Sequence, residues 1–361
     1  MREKFFLTGI KKKIKSILYP TLLELGIYDR LIEKYHRNKI VILWCHRVSP
    51  VGDKAQNSTP PLNFETGVTS QRFEELMDFL REKMHPVSLH DVVNFVAGKK
   101  EIPDRAVAVM LDDGYLDNYL HAFPILKRHR IPATVFLTTG FIGTNLMFWW
   151  DRIGEILKRT HSEKLEMGGI QHLFNGSGGS LPDQFYLDTY DRRNRAWTSL
   201  TAAMRRCDSK QIAKVIGQME GRLEVQAESY QHLHQMLTWE QILEMSESGI
   251  DFGAHTISHP FLPDLTPEDV EKETLGSKKA VEAKIQKPVV AFAYPFGDLP
   301  QTRLLMKEKL KKYGFKCAFL TEEGYVCAES NPYELKRISI GNVPLGSVVR
   351  ELTAVFTENR Y

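Results

Sequence analysis

Ala106-Val107-Ala108-Val109-Met110-Leu111 runs directly into Asp112-Asp113-Gly114, and this junction decides the fold. Six apolar residues without a polar break describe a strand buried on both faces, the signature of a parallel sheet rather than a half-exposed antiparallel one. An acidic pair at the carboxyl end of such a strand stands where parallel α/β folds and barrels gather their chemistry. Taken alone, the pair is equally a turn with a helix N-cap.

The flanking sequence repeats the theme. Ile40 to Trp44 is a second apolar run, followed by a Pro- and Gly-rich loop from Ser49 to Gly67. Arg72 to Lys83 has helical spacing with Phe73, Leu76, Phe79 and Leu80 on one face, and Ser88 with Asp91 forms a capping box for another helix. Asn118 to Arg128 reads as a helix and Ala133 to Leu137 as a strand. The rhythm fails between about residues 142 and 237, where a Gly/Ser-rich patch (168–179) and a polar helix from Ala202 to Arg222 suggest a mainly helical insertion, a lid or satellite. It resumes with the Thr238/Gln241 capping box and strands Ile250–Ala254, Val289–Ala293, Cys317–Leu320 and Leu335–Ser339. Helices fall after Thr266-Pro267, over Thr302–Tyr313 and from Ser347. About seven buried strands alternating with helices predict an α/β fold, an irregular (β/α) barrel.

Composition excludes other classes. With 361 residues, 42% hydrophobic and 26% charged, the chain is neither disordered nor collagen-like, and four cysteines without metal-type spacing make no disulfide scaffold. The net charge of +3 gives no reason to expect nucleic acid, but its distribution is uneven. Residues 1–39 hold ten Lys/Arg against four Asp/Glu, a local +6, which leaves −3 for residues 40–361. Ile10, Ile14, Ile17, Leu18 and Leu22 lie opposite the lysines at helical spacing. Residues 1–39 therefore read as a basic amphipathic arm, either docked on its own body or resting through residues 1–30 on an anionic membrane surface. Neither a signal peptide nor a transmembrane helix is expected: Pro20 and Glu24 interrupt the first apolar run, and the uncharged Ile131–Trp150 contains Pro132, Gly140 and Gly143. The expected location is cytoplasmic, with the inner membrane face as a peripheral option.

Four strand ends carry polar residues able to do chemistry: Cys45-His46-Arg47, Asp112-Asp113, His255-Thr256-Ile257-Ser258-His259-Pro260 and Tyr294-Pro295-Phe296-Gly297. Two histidines four apart on one turn, with one carboxylate, make a three-ligand metal site with an open position. Successive side chains diverge, so the second aspartate is free to act as a base. Phe148, Trp149 and Trp150 are either a sugar-stacking surface or the core of the insertion, and Tyr115 and Asp117 either support the site or begin a helix.

These motifs resemble those of the polysaccharide deacetylases, the NodB-homology carbohydrate esterases of family 4. Asp112-Asp113-Gly114 is similar to their first motif, His255-Thr256-x-x-His259-Pro260 to H-[ST]-x-x-H-P, and Tyr294-Pro295-Phe296-Gly297 to R-x-P-Y-G. The likeness runs from about Ile40 to Phe356 without the insertion. It implies an irregular (β/α)7 barrel over residues 40–361 and removal of N-acetyl groups from an amino sugar of a glycan. It further implies a divalent metal, usually Zn2+, on Asp113, His255 and His259. Asp112 would be the base, and the backbone N–H of Tyr294 would hold the oxyanion. Ala293 stands where the family has arginine, and Leu335-Lys336-Arg337-Ile338-Ser339 where it has its last histidine. Both departures fit the circularly permuted branch typified by poly-N-acetylglucosamine deacetylases, which makes His46 the candidate general acid; the plain alternative is a strand cap. Arg337 becomes a candidate partner for Asp112, the alternative being a surface ion pair. A related amidase or deformylase, an iron oxygenase with the same ligand set, and a non-catalytic carbohydrate binder are the rival readings.

Overall fold

The computed structural model describes residues 21–22, 25–50, 67–174, 181–297 and 300–357. The apolar runs pair as expected: β1 (Ile40–Cys45) lies parallel to β2 (Ala106–Leu111), with Ile40 opposite Ala106 and Cys45 opposite Leu111. With β3 (Ala133–Leu137), β4 (Asp251–Ala254), β5 (Ala291–Ala293), β6 (Cys317–Phe319) and β7 (Ile338–Ser339), the order across the sheet is β6-β5-β4-β3-β2-β1-β7. A short His85–Pro86 segment also pairs with β2. Side chains alternate as the strand period of two demands. Ile40, Ile42, Trp44, Ala106, Ala108 and Met110 join Phe136, Ala293 and Phe319 in one cluster. Val41, Leu43, Val107, Val109 and Leu111 pack into another, with helices such as Ser70–Lys83. The curled parallel sheet and its helices form the expected irregular barrel.

Closure depends on a crossover. Leu335 bridges Phe319 of β6, whereas Ile338 and Ser339 pair with Leu43 and Trp44 of β1. The strand expected over Leu335–Ser339 is therefore regular only at Ile338–Ser339, because the segment changes partner midway. Arg337 sits at that change, its backbone N–H bonded to Glu322 O at 2.9 Å and its side chain fully buried.

The helix expected from Asn118 opens as a π turn, Asn118–Ala122, before the α-helix Phe123–His129. Pro124 has no N–H to give to Leu120, so a continuous α-helix cannot form there. The insertion has its own core, with Ile153, Ile156, Leu165, Leu200, Val215 and Met219 among its members. Ile142, Phe148, Met236 and Leu237, at the edges of the 142–237 segment, pack with the barrel cluster instead. The helix expected at Ala202–Arg222 is in fact two, Tyr190–Met204 and Ser209–Leu223. An Asp208/Gln211 capping box starts the second, because the Asp208 side chain competes for the backbone there.

Residues 27–35 form a helix whose Tyr28 and Ile32 are buried in the barrel's outer core. This part of the basic arm is thus docked on the body. The remainder, residues 1–20, and most of the Ser49–Gly67 loop lie outside the described residues. Among the described residues no helix is long and apolar enough to cross a membrane.

Candidate active site

All four polar strand ends open onto one cleft of about 300 Å³, lined by His46, Asp112, Asp113, His255, His259 and Phe296 among others. Asp112 and Asp113 follow β2 but part company. Asp113 has φ +76°, a left-handed conformation that aspartate tolerates better than most residues, and Gly114 follows at +84°. A Cβ on Gly114 would come within 2.8 Å of Leu137 Cδ2, so the tight turn needs glycine.

Asp112 faces Arg337. The guanidinium donates from Nη1 to Oδ1 at 2.9 Å and from Nη2 to Oδ2 at 2.8 Å, while its Nε donates to Leu320 O at 2.9 Å. The Trp44 ring lies 4.4 Å beneath it. Burial alone would raise the Asp112 pKa, but the Arg337 guanidinium outweighs it and holds the carboxyl below its ordinary value. The pair is buried on both sides, unlike a surface ion pair.

Asp113 faces the histidines. Its Oδ1, buried without a hydrogen-bond partner, lies 3.5 Å from His255 Nε2 and 3.6 Å from His259 Nε2. His255 Nδ1 is 2.8 Å from Ala293 O, so Nδ1 carries the proton and donates, leaving the Nε2 lone pair toward Asp113. Burial lowers the His255 pKa to about 4 and that of His259 well below its usual value. Both imidazoles are therefore neutral, as ligands must be. Burial, then Asp112, raises Asp113. The three ligand atoms lie within 4.8 Å of one another, which suits an ion with bonds of about 2.0–2.2 Å. An orphaned carboxylate oxygen between two neutral imidazoles fits a divalent metal.

The turn holding the histidines is strained, with Thr256 at φ +66° and His259 at +56°. Thr256 Oγ1 accepts the His259 N–H at 3.0 Å, and Glu273 accepts the N–H groups of Ile257 and Ser258 at 2.7 and 2.9 Å. Glu273 belongs to the helix Pro267–Ile285 and carries no sequence signal that would single it out.

His46 lines the same cleft, with its ring edge-on to Trp44 at 4.9 Å. Burial lowers its pKa and Asp112 partly opposes that. The expectation for Tyr294 needs correction. Its N–H is donated to Phe319 O at 3.0 Å, because the parallel register that pairs Ala293 with Phe319 commits the next N–H to the ladder. Counted along R-x-P-Y-G, Phe296 occupies the tyrosine's place. It has φ +61° and stands edge-on to His259 at 4.4 Å.

Behind His46, a buried polar network joins barrel to insertion. Arg47 donates to Asp117 at 2.7 Å and to Leu233 O at 3.0 Å, and approaches His234 Nδ1 at 3.1 Å. His234 Nε2 meets Glu155 at 3.1 Å, and Tyr115 donates to Asp151 at 2.8 Å. Tyr115 and Asp117 thus belong to this network, and Asp117 also occupies the N-cap position of the turn that begins at Asn118. Burial depresses the His234 pKa, but Asp151 and Glu155 overcome it and lift it to about 9. A raised folded-state value means that His234⁺ stabilises the protein fully below about pH 6.5. That contribution is lost as pH climbs to about 9. Denaturant midpoints followed from pH 6 to 10 should fall across this window in the wild type, and His234→Gln should flatten the fall; an unchanged slope would refute the assignment. Of the three aromatics, Phe148 is core, stacked on Phe141 at 4.1 Å, whereas Trp149 and Trp150 line the cleft.

Comparisons with known proteins bear on the family and the fold. The sequence model of the family described as Polysaccharide deacetylase matches residues 99–168 and 182–318. The chain is 22% identical over 281 residues to YxkH of Bacillus subtilis, covering 78% of this chain and 68% of that one. It is 34% identical over 119 residues to the poly-beta-1,6-N-acetyl-D-glucosamine N-deacetylase of Staphylococcus epidermidis, a match spanning 31% of this chain and 40% of that enzyme. The deacetylase PplD of Streptococcus pyogenes, solved with acetate, superposes with a TM-score of 0.54 at 18% identity over 88% of this chain and 98% of PplD.

Proposed function

The chain belongs to the polysaccharide deacetylase family, and from that premise we propose that it is a metal-dependent hydrolase removing N-acetyl groups from an amino sugar of a surface polysaccharide or its lipid-linked precursor. One observation carries the reading. Asp112 is locked to Arg337 beside a carboxylate and two neutral histidines that converge on one point. A non-catalytic carbohydrate binder has no use for a buried, charge-paired base.

Asp113, His255 and His259 would hold the ion, and the chemistry it supplies there is polarisation of the acetamide carbonyl and acidification of water. Zinc is proposed, from the His/His/Asp donor set. Asp112 takes the proton of the attacking water. Arg337 occupies one lone pair on each of its oxygens and leaves others free, so the carboxylate is ionised and oriented without being blocked. The Phe296 N–H, with no acceptor among the described residues, is proposed as the donor to the oxyanion in place of Tyr294. His46, in its protonated form, gives a proton to the departing nitrogen.

Acetate release from N-acetylated glucosamine oligomers tests the reading, with His46→Ala alongside. The expected loss in kcat is about 10²- to 10⁴-fold. It should shrink for an acetyl ester, whose alkoxide-derived leaving group needs less help than an amine. Near-wild-type kcat on the amide would remove His46 from the mechanism, and no acetate from any N-acetylated sugar would remove the function.

A further inference from the structure

The insertion contributes one side of the cleft, and it does so in register. Trp197, Thr201 and Arg205 all line the cleft. They are spaced four apart on the helix Tyr190–Met204 and its cap, so they lie along one helical face. Trp197 Nε1 donates to Trp150 O at 3.1 Å, which fixes the near end of the row. At the far end, Arg206 grips Asp264 of the barrel through two bonds of 3.0 and 2.9 Å. With its neighbour tied outward, Arg205 is turned to the cleft mouth, its guanidinium 5.3 Å from the Phe296 ring centroid.

The charges around it are already matched. Asp112 belongs to Arg337 and Arg47 to Asp117, and Asp113 faces the point where it and the two neutral histidines would hold the ion. Arg205 forms no ion pair or side-chain hydrogen bond among the described residues, and burial alone moves its pKa, downward. Arg205 is exposed at the cleft mouth, so its guanidinium is open to a ligand entering the cleft. A planar guanidinium resting on an aromatic ring is suited to bidentate contact with phosphoryl or carboxylate oxygens.

Resting on the deacetylase reading, we propose that the physiological substrate carries an oxyanion, phosphoryl or carboxylate, on or next to the N-acetylated sugar, and that Arg205 of the insertion binds it. Trp149, Trp150 and Trp197 would pack against the sugar faces between that anion and the acetyl group. A neutral homopolymer of N-acetylglucosamine would leave Arg205 without a partner.

The test compares three N-acetylated disaccharides: one neutral, one bearing a 1-phosphate and one with a neighbouring uronic acid. Wild-type kcat/KM should favour an anionic substrate, and which one is favoured distinguishes phosphate from carboxylate. Arg205→Gln should cut the anionic-to-neutral ratio about 10- to 100-fold, with Arg205→Lys intermediate. Raising the salt concentration should narrow the wild-type ratio. Quenching of tryptophan fluorescence by the deacetylated phosphorylated disaccharide should show the same preference without turnover. Equal use of neutral and anionic substrates by the wild type, or a ratio untouched by Arg205→Gln, would overturn the proposal. If no substrate releases acetate, the deacetylase reading fails, while the fluorescence titration still decides whether Arg205 binds the anion.

Discussion

Asp112→Asn is expected to lower kcat by about 10²- to 10⁴-fold and to destabilise the fold by about 3–5 kcal/mol. The two effects have different origins. Turnover falls because an amide cannot take the water proton. Stability falls because Arg337, fully buried, loses the carboxylate bonded to its guanidinium, and an NH2 group then faces its own donors. The double variant Asp112→Asn/Arg337→Met separates them. Removing both charges lets an apolar side chain pack against Trp44 and Phe319, so stability should recover much of the loss, as buried pairs replaced together usually do. Turnover should not recover. Urea midpoints and acetate release on the three proteins check this. Turnover that returned with stability would make Asp112 a structural residue only.

Chelation is expected to abolish acetate release, with Zn2+ restoring it in the wild type and failing to do so in Asp113→Ala. A second readout needs no substrate. An ion bound only by the folded chain stabilises it by about 2.7 kcal/mol at 100 times its Kd. Added Zn2+ should therefore raise the melting temperature of the apo wild type and leave that of Asp113→Ala unmoved. Losing Asp113 takes away the oxygen that faces both imidazoles. An equal rise in both proteins would place the ion elsewhere.

Much of this was legible from residue order because each functional group follows an apolar strand, and strand ends in a parallel barrel must converge. Ala106–Leu111 before Asp112 and Asp251–Ala254 before His255 are cases in point. What escaped depends on register and partner choice. Whether the Tyr294 N–H is free is decided by how β5 and β6 align, which residue types do not record. Glu273 is one acid among many on a charged helix until the turn at Thr256 is built beside it. The break at Asp208 was visible as a capping signal, but the polar periodicity on either side masked it. The fate of Arg337 needed the partner switch between Leu335 and Ile338.

That switch has a consequence for the order of events during synthesis. Residue 337 leaves the ribosome after every other group of the site, 225 positions behind its partner. Until then, strands already assembled would bury Asp112 without its guanidinium, and burial alone favours the protonated carboxyl. On the proposed mechanism, a nascent chain short of this segment would hold the three candidate ligands but lack an ionised base. Hydrolytic competence would then wait for the few residues that span the sheet's last gap.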